Sequence, residues 1–273
     1  MTFHDFRTKL KNKIVHYNTL IGIDKILRFI SDTYEEWQNP TQKTRLGEAK
    51  PGWSIVVITS AKSIHNLEHL IRSVKTELDG SPYEIIVVGP KKEVSILYSK
   101  YSKEVPLIVI PYWEFPLWGV YGWLTKKKNI GVLRSSYDKV VMTHDYVVFS
   151  PGWYAGFKKF GDFTACANVV LNKDGKRYTD WLTYDHPKLK QTLIPYTASY
   201  PGYQYLNGTY IVVKRDFMLD NMWDENLRAF DSEDIEWSKR VQKNITISFN
   251  TFSTITYSKQ KPDLEKAWYS TAN

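Results

Sequence analysis

Two short polar stretches of this sequence stand where a ligand could reach them. The first is Thr143-His144-Asp145, at the end of the apolar run Asp138–Met142, whose Val140, Val141 and Met142 read as a buried strand. Such a strand carries a carboxylate and an imidazole to the edge of a sheet. In α/β proteins ligands collect where strands end and helices begin. A tip of this kind can hold a metal ion or a phosphate. The second stretch is Asp231-Ser232-Glu233-Asp234-Ile235-Glu236-Trp237, which opens a helix. Acidic residues in a first turn complement the helix dipole, and Asp231 or Ser232 suits an N-cap. This second stretch therefore has a plain structural explanation beside any chemical one.

The elements that must position these groups are legible from periodicity. Trp53–Thr59 and Tyr83–Gly89 are continuous, β-branched runs that read as buried strands, and Val105–Ile110 reads as a third. Between them, Leu67, Leu70, Ile71 and Val74 mark one helix, and Val94, Leu97, Tyr98 and Tyr101 another. The order β-α-β-α-β implies a largely parallel sheet with right-handed crossovers. Lys126-Lys127-Lys128 then open a helix that leads into the Asp138–Met142 strand, with Lys126 expected on its solvated face. Further strands are expected at Phe163–Leu171, Thr209–Lys214 and Phe249–Tyr257. Pro111–Trp123 is an aromatic loop, read either as a hydrophobic plug or as a wall of the ligand pocket. Residues 176–207 are aromatic and weakly periodic, and an irregular segment of that length is usually functional or disordered. Asp185-His186 within it reads as surface polarity more readily than as a metal site.

Together these stretches resemble the family 2-like glycosyltransferases of the GT-A fold. Lys128-Asn129-Ile130-Gly131 is similar to the family's "R/K-N-x-G" helix, and Thr143-His144-Asp145 to its Asp-rich metal motif. Ser150-Pro151-Gly152-Trp153 is similar to the turn that follows. The segment from Asn207-Gly208-Thr209 through Arg215-Asp216 resembles the "G-x-x-x-x-x-R" segment, with one residue more between Gly208 and Arg215, and Glu233-Asp234 resembles the "E-D" motif of inverting enzymes. The resemblance covers roughly residues 53–245. It implies a nucleotide-sugar donor held by Thr59, Ser60, Lys128, Asn129, His144 and Asp145, with Lys127 or Lys128 on a phosphate. It implies a divalent cation, Mn2+ or Mg2+, on Asp145. Asp234 becomes the general base and Glu233 its neighbour in the acceptor site. The acceptor, a glycan or a lipid-linked sugar, falls to the second half of the fold, where Trp181, Tyr203, Asn207 and Gly208 are assigned to it. The sequence departs from the family in three places. Thr143 stands for the first metal-motif acid, Gly89 for the Asp that helps read the base, and no His follows His186.

Composition sets the outer bounds. A chain of 273 residues with 42% hydrophobic content has ample material for a globular core. The net charge of +8 suits phosphates, nucleic acid or an anionic membrane. No nucleic-acid-binding signature accompanies that charge, so nucleic acid is not expected as a partner. Cys166 is the one cysteine, which excludes an internal disulfide and a Cys-based zinc site and suits a reducing compartment. The first residues lack the apolar core of a secretion signal. A cytoplasmic protein is expected, peripheral on the inner membrane face if the basic amphipathic residues 1–38 lie on lipid. The plain alternative is that residues 1–38 cover one side of the domain.

The expected organisation is an N-terminal helical extension and linker over residues 1–50, then a GT-A (Rossmann-like) domain over 51–258. That domain is α/β, with a mostly parallel central sheet flanked by helices. Residues 259–273 read as a polar tail. The function expected is transfer of a sugar from a nucleotide-diphosphate sugar to an acceptor hydroxyl, inverting, by single displacement. The alternative is a catalytically degenerate member that binds a glycan or a partner. A nucleotidyltransferase on a related sheet would need a Gly-rich basic loop after its first strand, and Ser60–Ser63 is a poor one.

Overall fold

The run from Trp53 to Ile58 is apolar at every position but Ser54, and the structure covers both of its faces. The computed structural model describes residues 33, 38–39, 47–114, 123–189, 191–228 and 231–262. The helices expected in residues 1–38, the middle of the aromatic loop at 115–122, Phe230 and the tail beyond 262 lie outside the described residues, apart from residues 33 and 38.

Strands β1 (Lys50–Ile58), β2 (Tyr83–Gly89), β3 (Leu107–Pro111) and β4 (Tyr137–His144) form a parallel half-sheet in the order β3-β2-β1-β4. Helices α1 (Ile64–Glu77), α2 (Lys91–Tyr101) and α3 (Leu124–Leu133) connect them. Side chains alternate across a strand. Ile55 and Val57 of β1 therefore meet Leu67, Leu70, Ile71 and Val74 of α1, while Val56 meets the layer that holds Val132 of α3. A parallel sheet buried on both faces needs such continuous apolar strands. That is why these elements are the plainest in the sequence.

The sheet then continues as β4-β9-β6-β10-β5, through β9 (Tyr210–Lys214), β6 (Ala165–Leu171), β10 (Ser248–Tyr257) and β5 (Val147–Phe149). Pairings β4–β9, β9–β6 and β10–β5 are antiparallel, and β6–β10 is parallel. The whole is a curled, mixed sheet of eight strands. Helices α4 (Trp153–Phe160), α5 (Arg215–Asp220) and α6 (Glu233–Val241) complete the two layers. Residues 176–207 are less irregular than their composition suggests. They contain β7 (Trp181–Thr183) and β8 (Gln204–Leu206), which pair as a small antiparallel sheet. Asp180 fastens this segment, accepting from Arg177 at 2.7 Å, Tyr196 Oη at 2.9 Å and the Trp181 N–H at 2.7 Å.

Several boundaries move. β1 begins at Lys50, inside the stretch read as linker, and β4 runs on through Thr143 and His144. β3 spans Leu107–Pro111 and not Val105–Ile110. The largest correction is Lys126. Helix α3 is buried on almost every side, and Lys126 is 1% exposed, its ammonium 4.2 Å from the Trp123 ring centroid. A run of three lysines suggests a wet face, but here the helix is wedged between the sheet and the 223–228 segment. Its lysines must find partners inside.

The Asn-x-Gly in α3 has a packing explanation. The Asn129 amide donates to Trp223 O at 3.0 Å and Glu225 Oε1 at 2.9 Å, and its carbonyl accepts the Trp223 N–H at 3.0 Å. A Cβ on Gly131 would lie 2.3 Å from Val56 Cγ1. Gly131→Ala should therefore destabilise the fold by about 1–3 kcal/mol through overpacking. Adding Val56→Ala should return part of that loss. Urea unfolding of the single and double variants checks this. Strictly additive losses would show that the contact is not the cause.

Candidate functional site

The strand order reverses at β1, with β2 and β3 to one side and β4 to the other. Connections that diverge in this way open a crevice beyond the carboxyl ends of the strands. Ile58 pairs with His144 in register, so the next residues, Thr59 and Asp145, meet. The Thr59 hydroxyl donates to Asp145 Oδ2 at 2.6 Å and accepts the Ala61 N–H at 2.7 Å. A cavity of about 210 Å3 opens here, with Thr59, Ser60, Lys62, Lys127, Asp145 and Lys259 in its wall. His144, Tyr146 and Ser63, the N-cap of α1, also reach it.

Burial sets the ionisation of this cleft. It pushes the Asp145 carboxyl up, against the Thr59 hydrogen bond and the nearby Lys259, Lys127 and Lys261. It also pushes the His144 imidazole well down, and Lys128 and Lys261 add to that push, so the ring is neutral. Lys261 is lowered to about 8 by burial, with Asp145 pulling the other way. Its ammonium donates to Tyr146 Oη at 3.0 Å, and that of Lys259 stands 3.7 Å from the Tyr146 ring centroid.

A second group of charges lies at the start of α6. Asp234 Oδ2 accepts the Gly208 N–H at 2.9 Å, and Oδ1 accepts the Ile235 N–H at 2.9 Å. Lys128 Nζ donates to Glu233 Oε1 at 2.9 Å and lies 4.0 Å from the Trp223 ring centroid. A Cβ on Gly208 would come within 3.0–3.1 Å of Lys128 Nζ, Asp234 Cβ and Glu233 Oε1. Burial, and then the Glu233 carboxylate, push Asp234 up to about 6. Ser232 occupies the N-cap position in the left-handed conformation, with φ 57°, and makes no capping bond through its side chain. Backbone of this kind in a non-glycine residue carries strain of about 1–3 kcal/mol, and Ala61 and Asp185 share it.

Two links join the groups. The His144 N–H donates to Thr209 O at 3.1 Å, next to Gly208. Consecutive residues of α3 reach opposite ways. Lys127 donates to Thr59 O and Glu114 Oε1, and Lys128 to Glu233. Thr59, Ser60, His144 and Asp145 are thus brought to one cleft, and Lys128, Gly208, Glu233 and Asp234 to the adjoining one.

The remaining expected site residues sit elsewhere. The Asn129 side chain is occupied by Trp223 and Glu225. Trp181 is buried in the core layer that holds Trp223 and Trp237. Asn207 accepts the Thr209 N–H at 2.8 Å, which shapes the turn into β9. Tyr203 is exposed, its ring 5.1 Å from that of His186. His186 Nδ1 accepts the backbone N–H groups of Lys188 and Leu189, so its ring organises a loop. Sequence reasoning missed Glu114, Lys259 and Lys261. The two lysines alone had a visible signal, a basic pair just past the last strand.

The donor set around Asp145 does not suit a resident divalent cation. Asp145 is a single carboxylate with one oxygen already bonded to Thr59, and Thr143 is a buried hydroxyl. Among the described residues no group of three His, Cys, Asp or Glu side chains could hold a metal. Oxygen-rich carboxylate sets are what Mg2+ and Mn2+ prefer, and here Asp145 has Lys127, Lys259 and Lys261 near it, while the other nearby carboxylate, Glu114, is taken by Lys127.

No family model matches the chain, and no curated protein matches it in sequence. Solved structures share its fold. S. aureus TarS 1-349 in complex with UDP-GlcNAc is similar with a TM-score of 0.52 and 15% identity, over 80% of this chain and 61% of that one. The mannosyltransferase PcManGT from Pyrobaculum calidifontis, in complex with GDP-Man and Mn2+, is similar with a TM-score of 0.54 and 12% identity, over 96% of this chain and 71% of that one. The inositol-1-phosphate CTP transferase from T. maritima is similar with a TM-score of 0.50 and 11% identity, over 82% and 96%. The chain spans about 60% of the length of TarS 1-349. The fold is therefore GT-A-like, shared with glycosyltransferases. No helix among the described residues is long and apolar enough to cross a membrane.

The Asp234–Glu233 pair yields a titration test. Glu233→Gln removes a like charge and leaves Lys128 to Asp234, so the Asp234 carboxyl should titrate below the wild-type value of about 6. Carbon-detected NMR of labelled Asp measures this. An unchanged value would show that burial alone raises Asp234.

Proposed function

We propose that the chain is a glycosyltransferase that moves a sugar from a nucleoside-diphosphate sugar to an acceptor hydroxyl, with inversion. The observation that carries this reading is the adjoining of two unlike sites. One is a cationic cleft at the ends of β1 and β4; the other is a carboxylate of raised pKa at the start of α6. The donor's diphosphate occupies the first, against Ser60, Lys127 and the N-terminus of α1, where backbone N–H groups favour anions. Asp234 sits at the second, where an acceptor hydroxyl can approach.

Asp234 acts as general base and takes the acceptor's proton as its oxygen attacks the anomeric carbon. The sugar–phosphate bond breaks on the opposite face, and its electron pair passes to the departing diphosphate. Glu233 holds Lys128 and raises the basicity of Asp234. Gly208 keeps the approach clear, because any side chain there would meet all three charged groups. Asn129 serves as a positioning residue that secures the 223–225 segment beside Lys128. The acceptor lies toward Tyr203 and the loop at 184–191, whose cavity of about 420 Å3 includes Tyr184, Asp185 and His186. The solved neighbours support the donor class, since TarS 1-349 is in complex with UDP-GlcNAc and PcManGT with GDP-Man. The CTP transferase likeness favours the nucleotidyltransferase reading less, because Ser60–Ser63 lacks the glycines of a phosphate loop.

Thermal shift with a panel of nucleotide-sugars and nucleoside diphosphates should raise the melting temperature for one base. Asp234→Asn should keep that shift and lose turnover by roughly 10²- to 10⁴-fold. The wild-type kcat/KM should fall as pH drops through about 6, because the base works only when ionised. No shift with any donor would overturn the reading. A shift without turnover in the wild type would favour the degenerate binder.

A further inference from the structure

The segment that follows β10 is a built part of the donor cleft. The Ser258 N–H donates to Tyr146 O at 2.8 Å, and the Ser258 hydroxyl to Asn66 Oδ1 at 3.0 Å. Asn172 grips the backbone of Lys261 from both sides, its amide on Lys261 O and its carbonyl on Lys261 N, each at 2.9 Å. Tyr178 Oη donates to Pro262 O at 3.0 Å. So fastened, the segment sets Lys259 in the cavity wall and Lys261 on the Tyr146 hydroxyl. Lys62 and Lys127 reach the same cavity from the β1 and α3 sides.

The charges of this cleft do not balance. Among the described residues, Lys62, Lys259 and Lys261 form no ion pair, and Asp145 is the one carboxylate in the cavity wall. Glu114 lies behind the wall and is taken by Lys127, so Lys62, Lys259 and Lys261 are left against Asp145 alone, and that excess of positive charge calls for an anion. These ammonium groups repel a divalent cation.

We propose that Lys259, backed by Lys261, takes the place of a divalent metal against the leaving diphosphate. This rests on the glycosyltransferase reading above. When the bond between the anomeric carbon and the phosphate oxygen breaks, that oxygen gains a negative charge. The acceptor's proton goes to Asp234, so no proton need reach the diphosphate. Fixed positive charge aimed at a developing anion stabilises the transition state without reorganisation. Asp145 then holds Thr59 in place and is not a metal ligand.

Calorimetric titration of the full chain with UDP, GDP, CDP and ADP, in EDTA and again in manganese, tests this. One diphosphate should bind about equally in both buffers. Lys259→Met with Lys261→Met should weaken it by about 10- to 100-fold, the scale of one to two charge-assisted contacts. Lys259→Arg with Lys261→Arg should restore most of the affinity, and Gln260→Ala should not change it. Asp145→Asn gives the sharpest contrast. Removing a like charge should leave binding in EDTA as tight or tighter, whereas loss of a metal ligand would abolish a manganese effect. Binding that requires manganese and is lost in Asp145→Asn would overturn the proposal and leave the glycosyltransferase reading intact. Binding of no diphosphate in either buffer would remove both.

Discussion

Two consecutive buried ammonium groups hold this site together. Lys127 and Lys128 are at most 1% exposed and lie one residue apart on a helix with almost no wet face. A buried charge is costly unless it is paired, and several kcal/mol are at stake for each. Lys127 therefore fixes the end of β1 through Thr59 O and draws in Glu114, while Lys128 fixes the start of α6 through Glu233. Successive residues on a helix point about 100° apart. This one dipeptide thus ties the parallel half of the sheet to the half that carries Asp234, and α3 cannot slide without stranding a charge.

The chemistry of the two clefts follows from what surrounds each carboxylate. Asp145 and Asp234 are both raised by burial, yet their neighbours differ. Asp145 faces a hydroxyl and a set of ammonium groups, which makes its surroundings a place for an anion. Asp234 has a second carboxylate beside it and two backbone N–H groups on its oxygens, which poises it to accept a proton near neutrality. Gly89 and Thr143, where the sequence differs from the pattern it resembles, fit this division. Gly89 is pressed against Thr59, so that a Cβ would lie 2.6 Å from Thr59 Cγ2, and an Asp has no room there. Thr143 is buried in the strand pairing and offers no acid to the cleft.

Much of the fold could be read because parallel strands covered on both faces must be apolar throughout. β2 appears in the sequence with its boundaries intact, and β1 and β4 within a few residues. The pairing of Thr59 with Asp145 was legible as position, since both follow buried strands, though their hydrogen bond was not. Lys126 misled because a charge run looks the same whether water or an aromatic ring receives it. For Trp181 and Asn129 the sequence showed what each side chain could bind but not the partners the fold gives it, a core layer for Trp181 and Trp223 with Glu225 for Asn129. Lys259 and Lys261 read as a tail because nothing local shows that Asn172, some ninety residues earlier, grips their backbone.

The most direct test is a crystal structure of the full chain with the nucleotide-sugar that most raises its melting temperature. The diphosphate should lie in the cleft between Thr59, Lys127 and Lys259, with the anomeric carbon turned toward Asp234 and an open path from Tyr203. A donor bound on another face, or one whose anomeric carbon points away from Asp234, would contradict the joint site that Lys127 and Lys128 define.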